Sequence, residues 1–196
     1  MRALILNCTL KKSPEPSNTQ RLADVVAAEL SKNGVAVESI RVVDKRIEPG
    51  VQTDMGDDWT EIHEKLLASE ILVIASPTWL GMPSSVAHRV LERMDAMISE
   101  TDDDDRPVAY NRVAGVVVTG NEDGAHHVIN EICGGLNEIG YTIPGQAWTY
   151  WNMGPGPGPD YSETEHGHDF SEKTAGTMAQ NLIAVATALT KQPIPA

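Results

Sequence analysis

Two apolar runs constrain this chain more than any other feature. Ile71-Leu72-Val73-Ile74-Ala75 and the stretch from Val113 to Val118 carry no polar side chain. A strand with one face in water alternates apolar and polar residues. An unbroken apolar run instead marks a strand covered on both faces. A shorter run, Ala3 to Leu6, stands near the start. Strands of this kind belong to a parallel sheet enclosed by helices, and the residues between them supply those helices.

The first helix is announced by Ser17 and Gln20, spaced as a capping box, so it starts at Ser17 or Asn18. Leu22, Val25, Val26 and Leu30 form its apolar stripe, and Asn33-Gly34 ends it. Val35 to Val43, rich in β-branched residues, reads as the second strand. After a polar loop over residues 44–57, Asp58 with Glu61 opens a helix whose apolar face is Trp59, Ile62, Leu66 and Leu67. The run at 71–75 is followed by a helix from about Ser84, then a charged loop with Asp102 to Asp105, then the run at 113–118. The next helix carries Val128, Ile129, Ile132, Leu136 and Ile139 and stops at Gly140. Gly134-Gly135 inside it costs about 1 kcal/mol per glycine against alanine, which suggests close packing. Residues 146–151 read as a fifth strand, 153–169 as a Gly/Pro-rich loop, and Ser171 to Thr190 as a final helix. Residues 1–196 are thus expected to form one α/β domain, its long loops meeting at the carboxyl ends of the strands, where open sheets of this class bind ligands.

Charge and cysteine usage narrow the function. The formal net charge of -13 argues against nucleic acid, which demands clustered Lys and Arg. Cys8 and Cys133 are the two cysteines and lie in no metal-type spacing, so a reduced, cytoplasmic protein without a metal centre is expected. No run approaches the roughly 20 residues of a membrane span, and Ala3 to Leu6 is too short for a signal peptide. Asp102 to Asp105 lacks the spacing of a calcium loop, and His166-Gly167-His168-Asp169 reads as part of a lid or subunit contact.

The first loop, Thr9 to Ser17, precedes a helix whose free N–H groups and partial positive charge suit a phosphate. It has no glycine, which excludes the dinucleotide fingerprint G-x-G-x-x-G and the G-x-x-x-x-G-K-[ST] loop. Cys8 ends the first strand as the nucleophile of low-molecular-weight tyrosine phosphatases does. Their loop requires an arginine six residues on, where Pro14 stands. A response regulator would place an aspartate at Ser76-Pro77.

Three segments carry a more specific resemblance. They are Ser17-Asn18-Thr19, the stretch Ser76-Pro77-Thr78-Trp79-Leu80-Gly81-Met82-Pro83-Ser84, and Thr119-Gly120-Asn121-Glu122-Asp123-Gly124. In these the chain resembles the NADPH-dependent FMN reductase and NAD(P)H:quinone reductase family of flavodoxin-like proteins. The second segment is the most distinctive. The first loop departs from type, because Asn7-Cys8-Thr9-Leu10-Lys11-Lys12 replaces the family's G-S-x-R opening.

The resemblance implies a flavodoxin-like three-layer sandwich with a five-stranded parallel sheet in the order 2-1-3-4-5. It implies bound FMN, NAD(P)H as electron donor, a small acceptor such as a quinone or flavin, and a homodimer or homotetramer. FMN phosphate is expected at Thr9, Lys11, Ser17, Asn18 and Thr19. Lys11 or Lys12 adds positive charge there, grips the 2′-phosphate of NADPH, or remains solvated. The flavin ring is expected against Pro77, Thr78, Trp79, Leu80 and Gly81, with Trp79 as a flat wall and the N–H groups of Trp79, Leu80 and Gly81 facing the ring edge. The alternative for Trp79 is a place in the core. Thr119, Gly120, Asn121, Asp123 and Gly124 line the other side. No catalytic side chain is required, because the flavin carries the hydride. His126 and His127 are candidates for proton donation to a product, or surface residues. Trp148, Tyr150, Trp151, Met153 and Tyr161 form an aromatic surface near the same rim. The alternative activity is that of a flavodoxin-type electron carrier without its own NAD(P)H turnover.

Overall fold

A computed structural model describes residues 1–195. The strands are β1 (Arg2–Asn7), β2 (Ala36–Arg41), β3 (Ile71–Trp79), β4 (Met82–Pro83), β5 (Val113–Gly120) and β6 (Trp148–Asn152). The helices are α1 (Asn18–Lys32), α2 (Trp59–Leu67), α3 (Ser85–Met94), α4 (Ala125–Ile139) and α5 (His168–Lys191). The sheet runs β2-β1-β3-β5-β6, all parallel, and β4 is a two-residue stub folded back antiparallel onto the end of β3. The expected flavodoxin-like order holds, with six strands instead of five because of that stub.

The central strands are apolar on both faces because each face meets helices. Leu4, Leu6, Leu72, Ile74, Val116 and Val118 point into a core closed by α2, α3 and α4. Their neighbours Ala3, Ile5, Val73, Ala75, Val113 and Val117 point into a second core closed by α1 and α5. Full burial of one such aliphatic side chain stabilises by about 1.5–3 kcal/mol. In β5 the alternation leaves no room for a side chain at Gly115, whose Cβ would stand 2.5 Å from the Ala147 carbonyl oxygen.

Several boundaries differ from the sequence reading. β2 ends at Arg41 because Val42–Asp44 forms a 3-10 turn. β3 continues to Trp79 and β5 to Gly120, since their last residues pair with β4 and β6. β6 begins at Trp148 because Gln146 adopts a left-handed conformation (φ 55°) that breaks extended pairing. The expected packing role of the paired glycines in α4 is not found. Gly134 faces open space, and a Cβ on Gly135 would make an ordinary 3.5 Å contact with Leu91. Asp58 does not cap α2 with its side chain; the neighbouring Asp57 accepts from the Trp59 N–H instead. Asp102 is engaged by Arg106 through side chain and backbone. Among the described residues, no helix is long and apolar enough to cross a membrane.

Candidate flavin-binding cleft

The loops after β1, β3, β5 and β6 meet at one rim of the sheet and line an open cleft. Its floor at the first loop is built from β1 outward. Thr9 donates its N–H to Asn7 Oδ1, and Asn7 donates to Gln20 Oε1 at 2.7 Å. Gln20 is therefore drawn to the strand, and the expected capping box is only half formed: Ser17 Oγ accepts from the Gln20 N–H at 3.1 Å. Arg41 clamps the loop by donating to the Glu15 carbonyl at 2.8 Å. Asp44 accepts from both the N–H and the hydroxyl of Ser13, and these bonds hold its carboxyl below the usual carboxylate range.

The polar side chains expected to hold a phosphate are thus largely engaged within the protein. Ser17 is buried as the helix cap. Asn18 accepts from the Ser162 N–H at 3.2 Å, and the Thr19 hydroxyl shares a 2.8 Å hydrogen bond with that of Thr119. The start of α1 still presents backbone N–H groups, because the first turn of a helix has no intrahelical acceptors for them. Lys11 lines the cleft beside it. Thr9, Asn18 and Thr19 also line it, whereas Ser17 lies behind.

The opposite wall is the hairpin of β3 and β4. Pro77, Thr78 and Trp79 line the cleft. Trp79 is 53% exposed, which rules out the core alternative. Thr78 is buried, and its hydroxyl has no hydrogen-bond partner. A buried unpaired hydroxyl costs about 1–3 kcal/mol, which a hydrogen bond to a bound ligand would offset. Leu80 and Gly81 sit at the tip, outside the cleft, with left-handed backbones (φ 53° and 75°). The Leu80 side chain is 91% exposed, and its N–H donates to Glu122 Oε1 at 2.7 Å. The expectation that this N–H faces the flavin edge is corrected: a carboxylate from the next loop holds it.

Thr119, Gly120 and Asn121 complete the wall. Asp123 and Gly124 fall outside, where Gly124 serves packing. Its Cβ would lie 2.7 Å from Gly81 Cα, and its φ of 111° suits glycine alone. Four lining residues were not assigned to the flavin site from sequence: Leu10 and Asp160, and Trp151 and Tyr161 from the expected aromatic surface. Trp151 and Tyr161 are buried and meet edge to face, so the expected aromatic surface is in part a core. Burial raises the Tyr161 phenol, which stays protonated at neutral pH.

Cys8 is buried, and burial pushes its thiol far above the usual range. A thiol in that state is not a nucleophile. His127 lies outside the cleft, with Nε2 3.1 Å from Glu131 Oε1 and 3.1 Å from Met82 Sδ. His126 packs edge to face on Tyr150.

A cleft lined by a helix start, a lysine, an exposed indole and a buried unpaired hydroxyl fits a flavin phosphate. Known proteins agree. The Streptomyces davaonensis 8-demethyl-8-aminoriboflavin-5′-phosphate synthase is 37% identical over 206 residues, covering 98% of this chain and 80% of that protein. A solved structure of RosB with bound 8-demethyl-8-formylriboflavin-5′-phosphate superposes with a TM-score of 0.92 at 37% identity, over 99% of this chain and 82% of that one. The Mycobacterium bovis divalent metal cation transporter MntH is 38% identical over 198 residues, which are 96% of this chain. The chain spans only 29% of that transporter's length. The model of the NADPH-dependent FMN reductase family matches residues 1–154. The chain therefore belongs to the NADPH-dependent FMN reductase family, flavin-dependent reductases with FMN as cofactor and NADPH as electron donor.

Proposed function

We propose that the protein is an FMN-dependent NAD(P)H oxidoreductase that passes electrons to a quinone, a flavin or a similar small acceptor. The observation that carries this reading is the buried, unpaired Thr78 hydroxyl in a cleft between the α1 N-terminus and the exposed Trp79. Bound FMN supplies the hydride chemistry, which needs no acid or nucleophile from the protein. The chain's part is to hold and orient. The α1 N–H groups and Lys11 receive the phosphate, and the remaining lysine charge offsets part of the surrounding acidity. Trp79 offers an aromatic face to the ring, and Thr78 donates its hydroxyl. The open side of the cleft admits nicotinamide and acceptor in turn. Residues 1–196 act as one domain in this reading, paired with further copies as a homodimer or homotetramer.

A second reading has its own support. The Streptomyces davaonensis relative, 37% identical across 98% of this chain, is named for making a modified riboflavin phosphate. The flavin itself is then the molecule changed. One experiment separates the readings. The purified protein is saturated with FMN, and NADPH is added without oxygen, followed by a quinone. Rapid bleaching and quinone-driven recovery support the oxidoreductase. Bleaching without recovery removes the quinone acceptor. A flavin that stays oxidised overturns NAD(P)H turnover and favours a flavodoxin-type carrier or the flavin-modifying enzyme, which differ in whether the recovered flavin has changed mass.

A further inference from the structure

We propose that Asp160 recognises the polyol chain of a flavin, making it the residue that selects ribityl-bearing ligands. The inference rests on the flavin reading of the cleft. Asp160 comes from the Gly/Pro-rich segment after β6, which crosses the rim as a strap. The strap is tied at both ends of the cleft. Gly158 donates its N–H to the Asn121 carbonyl at 2.8 Å, and Ser162 donates to Asn18 Oδ1 at 3.2 Å. Between these ties Asp160 lines the cleft.

The carboxylate is held in place rather than hanging free. Asn121 Nδ2 donates to Asp160 Oδ1 at 3.1 Å. The Asp160 N–H donates to Glu163 Oε2, and the Glu163 N–H returns to the Asp160 carbonyl, both at 2.9 Å. The next residue, Tyr161, is buried and stacks on the His168 ring at 4.0 Å. The carboxylate also caps the 3-10 turn Tyr161–Glu163 by accepting the Glu163 N–H, so its partners within the protein are neutral N–H groups and not a cation. A carboxylate has roughly four acceptor positions, so capacity remains for donors from a ligand.

The ligand's own chemistry says which part that is. The phosphate and the carbonyl edge of a flavin are acceptors and gain nothing from a carboxylate. The ribityl hydroxyls between them are donors. Asp160 touches Asn121, and two residues further on the strap is tied to Asn18 at the start of α1, so in the flavin reading its carboxylate lies along the strap between the loop after β5 and the phosphate-binding helix start. It therefore meets the polyol. A ligand lacking hydroxyls there leaves this carboxylate desolvated without compensation, which is a penalty against it.

The test uses the full chain, flavin fluorescence titration, and Asp160→Ala and Asp160→Asn, with riboflavin and lumiflavin as probes. Riboflavin carries the polyol without a phosphate, and lumiflavin carries neither. Asp160→Ala is expected to weaken riboflavin about tenfold or more, from the loss of a hydrogen bond to a charged group, while lumiflavin binding stays unchanged. FMN is expected to lose less than riboflavin, because the substitution also relieves repulsion of its phosphate. Asp160→Asn keeps the size of the side chain, and a matching thermal midpoint for it verifies the fold. Equal losses for riboflavin and lumiflavin, or no loss of riboflavin, overturn the proposal while leaving the flavin cleft intact. A wild-type protein that binds none of the flavins overturns the cleft reading and the proposal with it.

Discussion

Replacing Arg93 tests the physical reasoning most severely. Its side chain is fully buried on α3 and forms an ion pair with Asp57, which is equally shielded. The guanidinium also donates to the Gln52 carbonyl at 2.8 Å and to the Glu48 carbonyl at 3.0 Å, so it organises the loop between β2 and α2. Arg93→Met keeps an apolar stem but strands a buried carboxylate and the carbonyls of Glu48, Gln52 and Thr53. Breaking one side of a buried pair costs about 3–5 kcal/mol. For a chain of this size each kcal/mol lowers the thermal midpoint by ~2–4 °C, so the midpoint is expected to fall by roughly 6–20 °C. Urea titration gives the free energy directly. Adding Asp57→Asn to Arg93→Met should recover part of the loss, because the stranded charge is gone. The pH dependence follows from Asp57. Burial alone would raise its carboxyl, but bonds from Arg93 and from the Glu48 and Trp59 N–H groups outweigh it and hold it low. A depressed folded-state pKa contributes stability above the unfolded value and loses it as pH falls through the folded one. The gap between wild type and Arg93→Met should therefore be full at neutral pH and narrow below about pH 4. A cost under about 1 kcal/mol at pH 7 would refute the assignment of this pair as a structural anchor.

Three further outcomes are expected. Thr78→Val removes an unpaired buried hydroxyl, so it should leave apo-protein stability equal or higher while weakening FMN, as paired melts and fluorescence titrations would register. Trp79→Ala should leave the melting curve nearly unchanged, since the side chain is half exposed, yet restore fluorescence to bound flavin by removing the quenching indole; a large loss of stability would return Trp79 to a packing role. Lys11→Ala should weaken FMN about fivefold at low salt and riboflavin not at all, with the FMN difference shrinking as salt is added; equal effects on both would remove Lys11 from the phosphate end.

The three central strands were legible because strands covered on both faces write unbroken apolar runs. Most of the cleft was legible too. Thr78, Trp79 and Asn121 sit at strand ends that periodicity locates, Thr19 sits in the first turn of α1, and all four line the cleft. Two kinds of information were hidden. One is which polar groups satisfy each other: Asn18 with Ser162, Ser13 with Asp44, and the Leu80 N–H with Glu122 are contacts 31 to 144 residues apart. The other is the strap. Residues 153–163 have neither helical nor strand period, so nothing in the pattern brings Asp160 back over the first loop. Its tie to Asn121 depends on Gly158 reaching the Asn121 carbonyl, a contact visible only in three dimensions. The final helix likewise starts at His168 rather than Ser171, because Gly167 in a left-handed conformation turns the chain into it.

Ser84 joins pieces that sequence keeps far apart. Its hydroxyl accepts the Ala87 N–H at 3.1 Å, capping α3, and donates to the Cys8 carbonyl at 2.6 Å. Its own N–H meets Ser76 Oγ at 3.0 Å. One residue thus registers the end of β1, the hairpin and the start of α3 against each other. The first-loop wall and the hairpin wall of the cleft are spaced by that joint as a caliper is set by its screw. A ligand that bridges those walls meets a spacing held by hydrogen bonds behind the cleft, so the cost of ordering the two walls is met in folding and not in binding.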